Sequence, residues 1–270
     1  VETAHEAIYQ WQHLGFKGRK KVLLDWSKYL INHVDEIAEL ISDETGKPIS
    51  DAKLEAALAI NHVGWSARNA EYVMSPEHRS PGVLMANMSA RVEHSPVGVV
   101  GVIGPWNYPC FTPIGSITYA LAAGNTVVFK PSELTPAVGV WLADSFAQVA
   151  PSEDIFQVIT GFGDTGRFLC ESEINKLAFT GSTKTAKLVA ATCAANMIPV
   201  VLECGGKDPV IVAADANLKA AIENTLWSAM SNAGQTCIGA ERVYVDEKIA
   251  DRFIELFVAE AEKITAGAPG

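Results

Sequence analysis

The sequence predicts an α/β fold: a parallel sheet covered by helices, preceded by N-terminal helices and a small β-hairpin, and followed by the start of a second α/β unit. Three observations carry this reading. Residues 1–75 show helical apolar spacing. From residue 97, short Val-rich segments alternate with helical stretches, the pattern of parallel strands buried on both faces. Past residue 205 a further strand–helix–strand–helix pattern follows.

The elements follow in order. Asp35 to Ile41 has helical spacing with acids in its first turn, and Gly46 followed by Pro48 stops it. Lys53 to Tyr72 is Ala-rich and helical. Near Pro81 the pattern changes: Val83 to Met88 and Arg91 to His94 read as two strands with a turn at Asn87 to Ala90. Strands are then expected at Val97–Ile103, Thr126–Phe129, Phe156–Ile159, Leu177–Phe179 and Pro199–Leu202. The helices between them fall before Ala123 and at Ala137–Val149, Asp164–Cys170 and Thr185–Ala195. After Val210–Val212 come a helix from Leu218 to Met230, a strand from Arg242 to Val245 and a helix to about Lys263. The divisions expected are 1–80 for the helical part, 81–96 for the hairpin, 97–204 for the sheet domain and 205–270 for the second unit.

Composition narrows the function classes. The 270 residues are 49% hydrophobic and 19% charged, enough for a sizeable core. A net charge of -10 argues against nucleic acid and anionic membrane as partners. The five cysteines are odd in number and none is spaced as CxxC, so neither a disulfide framework nor a metal site is expected. A reducing, cytoplasmic compartment follows from that usage. No segment reads as membrane-spanning or as a signal peptide. The first residue is Val1, and Ala266 to Gly270 reads as a loop leaving a helix, so both ends are expected to be cut.

Parallel sheets bind ligands beyond the carboxyl ends of their strands, so those ends hold the candidates. The first strand exits into Gly104-Pro105-Trp106-Asn107-Tyr108-Pro109. The Asn107 amide either donates to an oxyanion or bonds its own turn. The second exits into Lys130-Pro131-Ser132-Glu133, either a ribose-binding pair or a solvated pair at a helix start. The third exits into Gly161-Phe162-Gly163-Asp164-Thr165-Gly166, a GxGxxG match. The acid expected about 20 residues on is missing, so the standard phosphate mode of that fingerprint is rejected. The fourth exits into Thr180-Gly181-Ser182-Thr183, an anion site at a helix start or an ordinary N-cap. The fifth exits into Glu203-Cys204-Gly205, where burial of the acid would favour a general base. Finally, Gly234-Gln235-Thr236-Cys237 puts a thiol in a polar, glycine-flanked loop, where it is either a nucleophile or an inert small hydrophobe.

Five of these stretches, in order, resemble the aldehyde dehydrogenase superfamily: Pro105 to Pro109, Phe129 to Glu133, Phe179 to Thr183, Glu203 to Lys207 and Gly234 to Cys237. The resemblance implies a Rossmann-like NAD-binding domain and the beginning of a catalytic domain. It implies that Cys237 attacks an aldehyde, that Asn107 with the Cys237 backbone N–H holds the oxyanion, and that Glu203 activates the water that hydrolyses the thioester. Lys130 and Glu133 are implied at the adenosine ribose, with Ser132 also in the cofactor site and Ser182, Thr180 and Gly181 at the pyrophosphate. Ile103, Gly104, Pro105, Trp106, Gly163, Gly166, Phe179, Cys204 and Gly205 line the cofactor cleft in this reading, and Tyr108, Thr112, Gly115, Thr236 and Ile238 the substrate tunnel.

Glu133 would repel a 2′-phosphate, which favours NAD over NADP. Small residues at Thr112 and Gly115 point to a tunnel with room for more than acetaldehyde. Members of the family usually carry Leu where Cys204 stands. They also continue well past the length of this chain and assemble as homodimers or homotetramers. The 270-residue piece alone is therefore expected to be inactive or unstable. Two other readings stand beside it: a relative that passes its thioester to coenzyme A, disfavoured by the presence of Glu203, and a binding protein without catalysis.

Overall fold

The computed structural model describes residues 1–267, so the end of the expected C-terminal loop, residues 268–270, lies outside the described residues. Four helices open the chain: α1 (Glu2–His13), α2 (Gly15–Asn32), α3 (Val34–Thr45) and α4 (Ile49–Val73). As the sequence predicts, α3 stops at Gly46 and Pro48 precedes α4. Their apolar stripes, with Trp11, Leu23, Trp26, Ile41 and Val63, join the core under one face of the central sheet. The indole N–H of Trp26 donates to Ser145 Oγ at 2.8 Å, so its one polar atom is satisfied inside that core.

The hairpin differs from expectation. An antiparallel pair forms between β1 (Glu77–Arg79) and β2 (Ala90–Val92), so its first strand lies before residue 81. Val83–Met85 is a 3-10 turn rather than a strand, with Val83 and Leu84 93% and 97% exposed. The cause is local. Pro81 has no N–H for a ladder, and Gly82 turns the backbone at φ 85. The apolar run that follows has nothing to pack against.

The centre of the molecule alternates strand and helix: β3 (Val99–Ile103), α5 (Phe111–Ala123), β4 (Thr126–Lys130), α6 (Pro136–Ala147), β5 (Phe156–Val158), α7 (Gly163–Glu171), β6 (Lys176–Thr180), α8 (Thr183–Ala195) and β7 (Val200–Glu203). All neighbouring strands are parallel, in the order β5-β4-β3-β6-β7. The central β3 and its neighbour β4 are buried at every position, which is why they read as unbroken apolar runs. The chain builds outward from β3 to β5, then returns to the other side of β3 for β6 and β7. That reversal opens a crevice beyond the carboxyl ends of β3 and β6.

The rest of the chain forms a second, smaller unit. β8 (Asp208–Val212) and β9 (Ala240–Val245) pair in parallel, flanked by α9 (Leu218–Met230) and α10 (Ala250–Ala261). Val212, Ile222 and Phe253 make its core. No helix among the described residues is long and apolar enough to cross a membrane.

Candidate active site

One large cavity, about 890 Å³, opens at the crevice, within the range of small-molecule sites. It is bordered by the segments that follow β3, β4, β6 and β7, by α7 and α8, and by the loop before β9. Every residue the sequence assigned to a cofactor cleft lines it: Ile103, Gly104, Pro105, Trp106, Lys130, Ser132, Glu133, Gly163, Gly166, Phe179, Thr180, Gly181, Ser182, Cys204 and Gly205. Asn107, Glu203 and Cys237 line the same cavity. Three groups far apart in sequence are thus brought to one cavity beyond the carboxyl ends of the strands.

Asn107 does not bond its own turn. Its Nδ2 donates to the main-chain oxygen of Gln235 at 2.7 Å, tying the loop after β3 to the loop that carries the thiol. One amide hydrogen remains for another acceptor. Its neighbour Tyr108 bonds Thr236 Oγ1 through its hydroxyl at 3.0 Å. Cys237 is the one exposed cysteine; Cys110, Cys170 and Cys193 are buried and Cys204 is half-buried. Burial pushes the thiol of Cys110 well above its ordinary range, with Glu55 adding to the rise. Burial likewise pushes Cys170 up to about 12 and raises Cys193. Those three sulfurs suit packing rather than attack.

Glu203 departs from expectation: its side chain is exposed rather than buried. It ends β7, which forms one edge of the sheet, and only one flank of that edge is covered.

Lys130 is not the solvated member of a surface pair. It is 4% exposed, and its Nζ donates to Pro131 O at 3.0 Å with Glu133 Oε2 3.7 Å away. Burial holds its ammonium below the ordinary 10.5, partly offset by Glu133. An ammonium carries three donors, so capacity remains toward the cavity. At the other strand end, Ser182 Oγ accepts from Thr185 N at 3.2 Å and caps α8. The N-cap reading holds, and the capped helix start faces the cavity as well. A buried cation beside an acid, a helix N-terminus, and apolar walls from Ile103, Phe179 and Val189 fit the ribose, phosphate and ring portions of a dinucleotide. Among the described residues no cluster of three or more His, Cys, Asp or Glu is arranged for a metal ion.

The tunnel candidates divide. Thr112 and Thr236 line the cavity. Tyr108 and Gly115 do not, and Ile238 is 74% exposed. The space over Gly115 is occupied rather than free, because a Cβ there would lie 3.3 Å from His62 Nδ1. His62 in turn bonds Tyr119 Oη at 3.2 Å. The small residue accommodates an imidazole, which removes the argument for a roomy tunnel on that side.

Sequence reasoning missed Lys47, Glu55 and Asn232, which surround Asn107 from beneath. Two signals were available: a lysine between Gly46 and Pro48 at a helix junction, and an acid on the apolar stripe of Ala52, Ala56, Ala59 and Val63.

The comparisons with known proteins identify the family. The sequence model of the aldehyde dehydrogenase family matches residues 1–270. The chain is 34% identical over 270 residues to a probable succinate-semialdehyde dehydrogenase, NADP(+), of Sinorhizobium fredii, a match over 99% of this chain and 54% of that protein. It is 35% identical over 272 residues to a glutarate-semialdehyde dehydrogenase of Pseudomonas aeruginosa, covering 99% of this chain and 55% of that one. The crystal structure of PnpE in complex with nicotinamide adenine dinucleotide superposes with a TM-score of 0.94 at 33% identity, over 100% of this chain and 55% of that chain. The chain belongs to the aldehyde dehydrogenase family. It spans about half the length of the curated relatives it matches.

Proposed function

We propose that this chain carries the cofactor cleft and the nucleophile of an NAD(P)-dependent aldehyde dehydrogenase that oxidises an aldehyde to a carboxylic acid. The observation that carries the reading is the meeting of Asn107, Glu203 and Cys237 on the cavity that also holds Lys130, Glu133 and Ser182. In this reading the Cys237 sulfur, as thiolate, attacks the carbonyl carbon. The carbonyl oxygen becomes an oxyanion, held by the free N–H of the Asn107 amide and the main-chain N–H of Cys237. When bound, the nicotinamide cofactor supplies the hydride acceptor that turns the Cys237 thiohemiacetal into a thioester. Glu203 then takes a proton from water as that water attacks the thioester, and the departing sulfur restores Cys237. Exposure of Glu203 leaves it in contact with that water.

Lys130 and Glu133 hold the ribose hydroxyls in this proposal, and the start of α8 holds the phosphates. Glu133 favours a free 2′-hydroxyl, hence NAD, although several relatives are named for NADP(+). Relatives named for succinate and glutarate semialdehydes support a substrate larger than acetaldehyde. The exposed Val83 and Leu84 support the hairpin as a subunit contact of a homodimer or homotetramer.

The test uses the full-length protein with NAD or NADP and a series of aldehydes, followed by the appearance of reduced cofactor. Turnover that disappears in Cys237→Ala is expected. Turnover unchanged by that substitution would remove the thiol from the reaction.

A further inference from the structure

A buried ion pair lies beneath the Asn107 loop, and nothing in the proposed reaction yet uses it. Lys47 and Glu55 are 5% and 1% exposed. Lys47 Nζ donates to Glu55 Oε2 at 2.5 Å. The other Glu55 oxygen accepts from the main-chain N–H groups of Cys110 and Phe111, at 2.9 and 3.1 Å. Those N–H groups open α5, whose N-cap residue makes no side-chain cap of its own. Glu55 therefore caps α5 from a different helix, and its negative charge suits a helix N-terminus.

Lys47 reaches further. Its Nζ also donates to the main-chain oxygen of Asn107 at 2.9 Å and sits 4.3 Å from the centre of the Tyr108 ring. A second donor, Asn232 Nδ2, meets the same Asn107 oxygen at 3.0 Å and Gln235 O at 3.2 Å. The peptide of Asn107 is clamped by two donors, and the residues after it are anchored through Glu55. Stability alone gives a weak reason for such a pair, since apolar residues of similar volume often replace a buried pair without loss. Position gives a stronger one: the pair meets the backbone on both sides of Tyr108, within the segment that aims Asn107 at the thiol loop.

We propose that Lys47 and Glu55 are positioning residues that fix the Asn107 loop, so that its amide is set toward the Cys237 loop before an aldehyde arrives. The proposal rests on the reading of Asn107 as the oxyanion donor. It assigns Lys47 no contact with substrate or cofactor.

A double-mutant cycle in the full-length protein tests this. The readouts are the rate of the first burst of reduced cofactor, the dissociation constant for NAD, and the thermal midpoint. Lys47→Met in the wild-type background is expected to slow the burst roughly 10- to 100-fold, the scale of a small misplacement of a catalytic group. The NAD dissociation constant is expected to hold within about twofold, because the cofactor cleft is untouched. In the Asn107→Ala background the same change is expected to cost less than about twofold, because the group it positions is gone. An equal loss in both backgrounds, or an unchanged burst, overturns the proposal. Lys47→Met leaves a buried carboxylate alone, so Lys47→Met with Glu55→Gln is the second variant and is read by the same cycle. Wild-type protein that forms no reduced cofactor with any aldehyde tested would sink the proposed reaction, a failure distinct from that of the positioning role.

Discussion

The side-chain amide of Asn107 donates to the main-chain oxygen of Gln235, two residues before Cys237, at 2.7 Å. One hydrogen bond thus joins the end of the central strand to the thiol loop, and the group that would hold an oxyanion also helps to place the nucleophile. Asn107→Ala is expected to lower the burst rate by about 10²–10³, the usual loss for one oxyanion donor. NAD affinity should stay nearly constant. Stopped-flow measurement of the burst beside calorimetric NAD binding checks both, and equal losses in the two would assign Asn107 to the cofactor instead.

Glu203→Gln separates the two halves of the reaction. The burst is expected to survive, while steady turnover falls roughly 10²- to 10⁴-fold, the span of general-base contributions. The acyl-enzyme should accumulate and be visible as a mass increase on Cys237. A steady rate equal to that of the wild type would take Glu203 out of the hydrolysis.

The five thiols should differ sharply in reactivity. Only Cys237 is exposed, whereas burial raises the thiols of Cys110, Cys170 and Cys193. Iodoacetamide applied to the folded protein is expected to label Cys237 before these three, since the thiolate is the reacting form. Peptide mapping by mass spectrometry gives the order. Equal labelling of Cys170 and Cys237 in the folded protein would contradict it.

His62 links stability to acid. Burial holds its imidazole below the ordinary 6.5, so between that lowered value and 6.5 the unfolded chain binds more protons than the folded one. Its contribution is complete above 6.5 and is lost as pH falls through the folded value. His62→Phe is expected to shrink the drop in thermal midpoint between about pH 7.5 and about pH 5.5. An identical drop in the wild type and the variant would assign the acid sensitivity to other groups.

Legibility in the sequence followed burial. β3 and β4 are covered on both faces, so their valines form unbroken runs and their ends are easy to place. Val83 and Leu84 form an equally apolar run, yet the turn at Gly82 leaves them in solvent, and apolarity alone misplaced the hairpin strand. The cavity residues were legible because short motifs sit where parallel strands end. Glu203 was misjudged in its surroundings, because an edge strand looks like an interior one until its neighbours are known. Lys47 and Glu55 carry no periodic signal of their own. Their partners, Asn107, Cys110 and Phe111, are distant in the chain, and no local window contains both sides of those bonds.

The order β5-β4-β3-β6-β7 also has a kinetic meaning. Asn107 follows the first strand of the sheet, Glu203 ends the last, and Cys237 comes later still. Closing the loops between them is slow relative to forming local helices. The constellation therefore depends on contacts far apart in the chain, and its assembly is expected to be slow relative to that of the local helices.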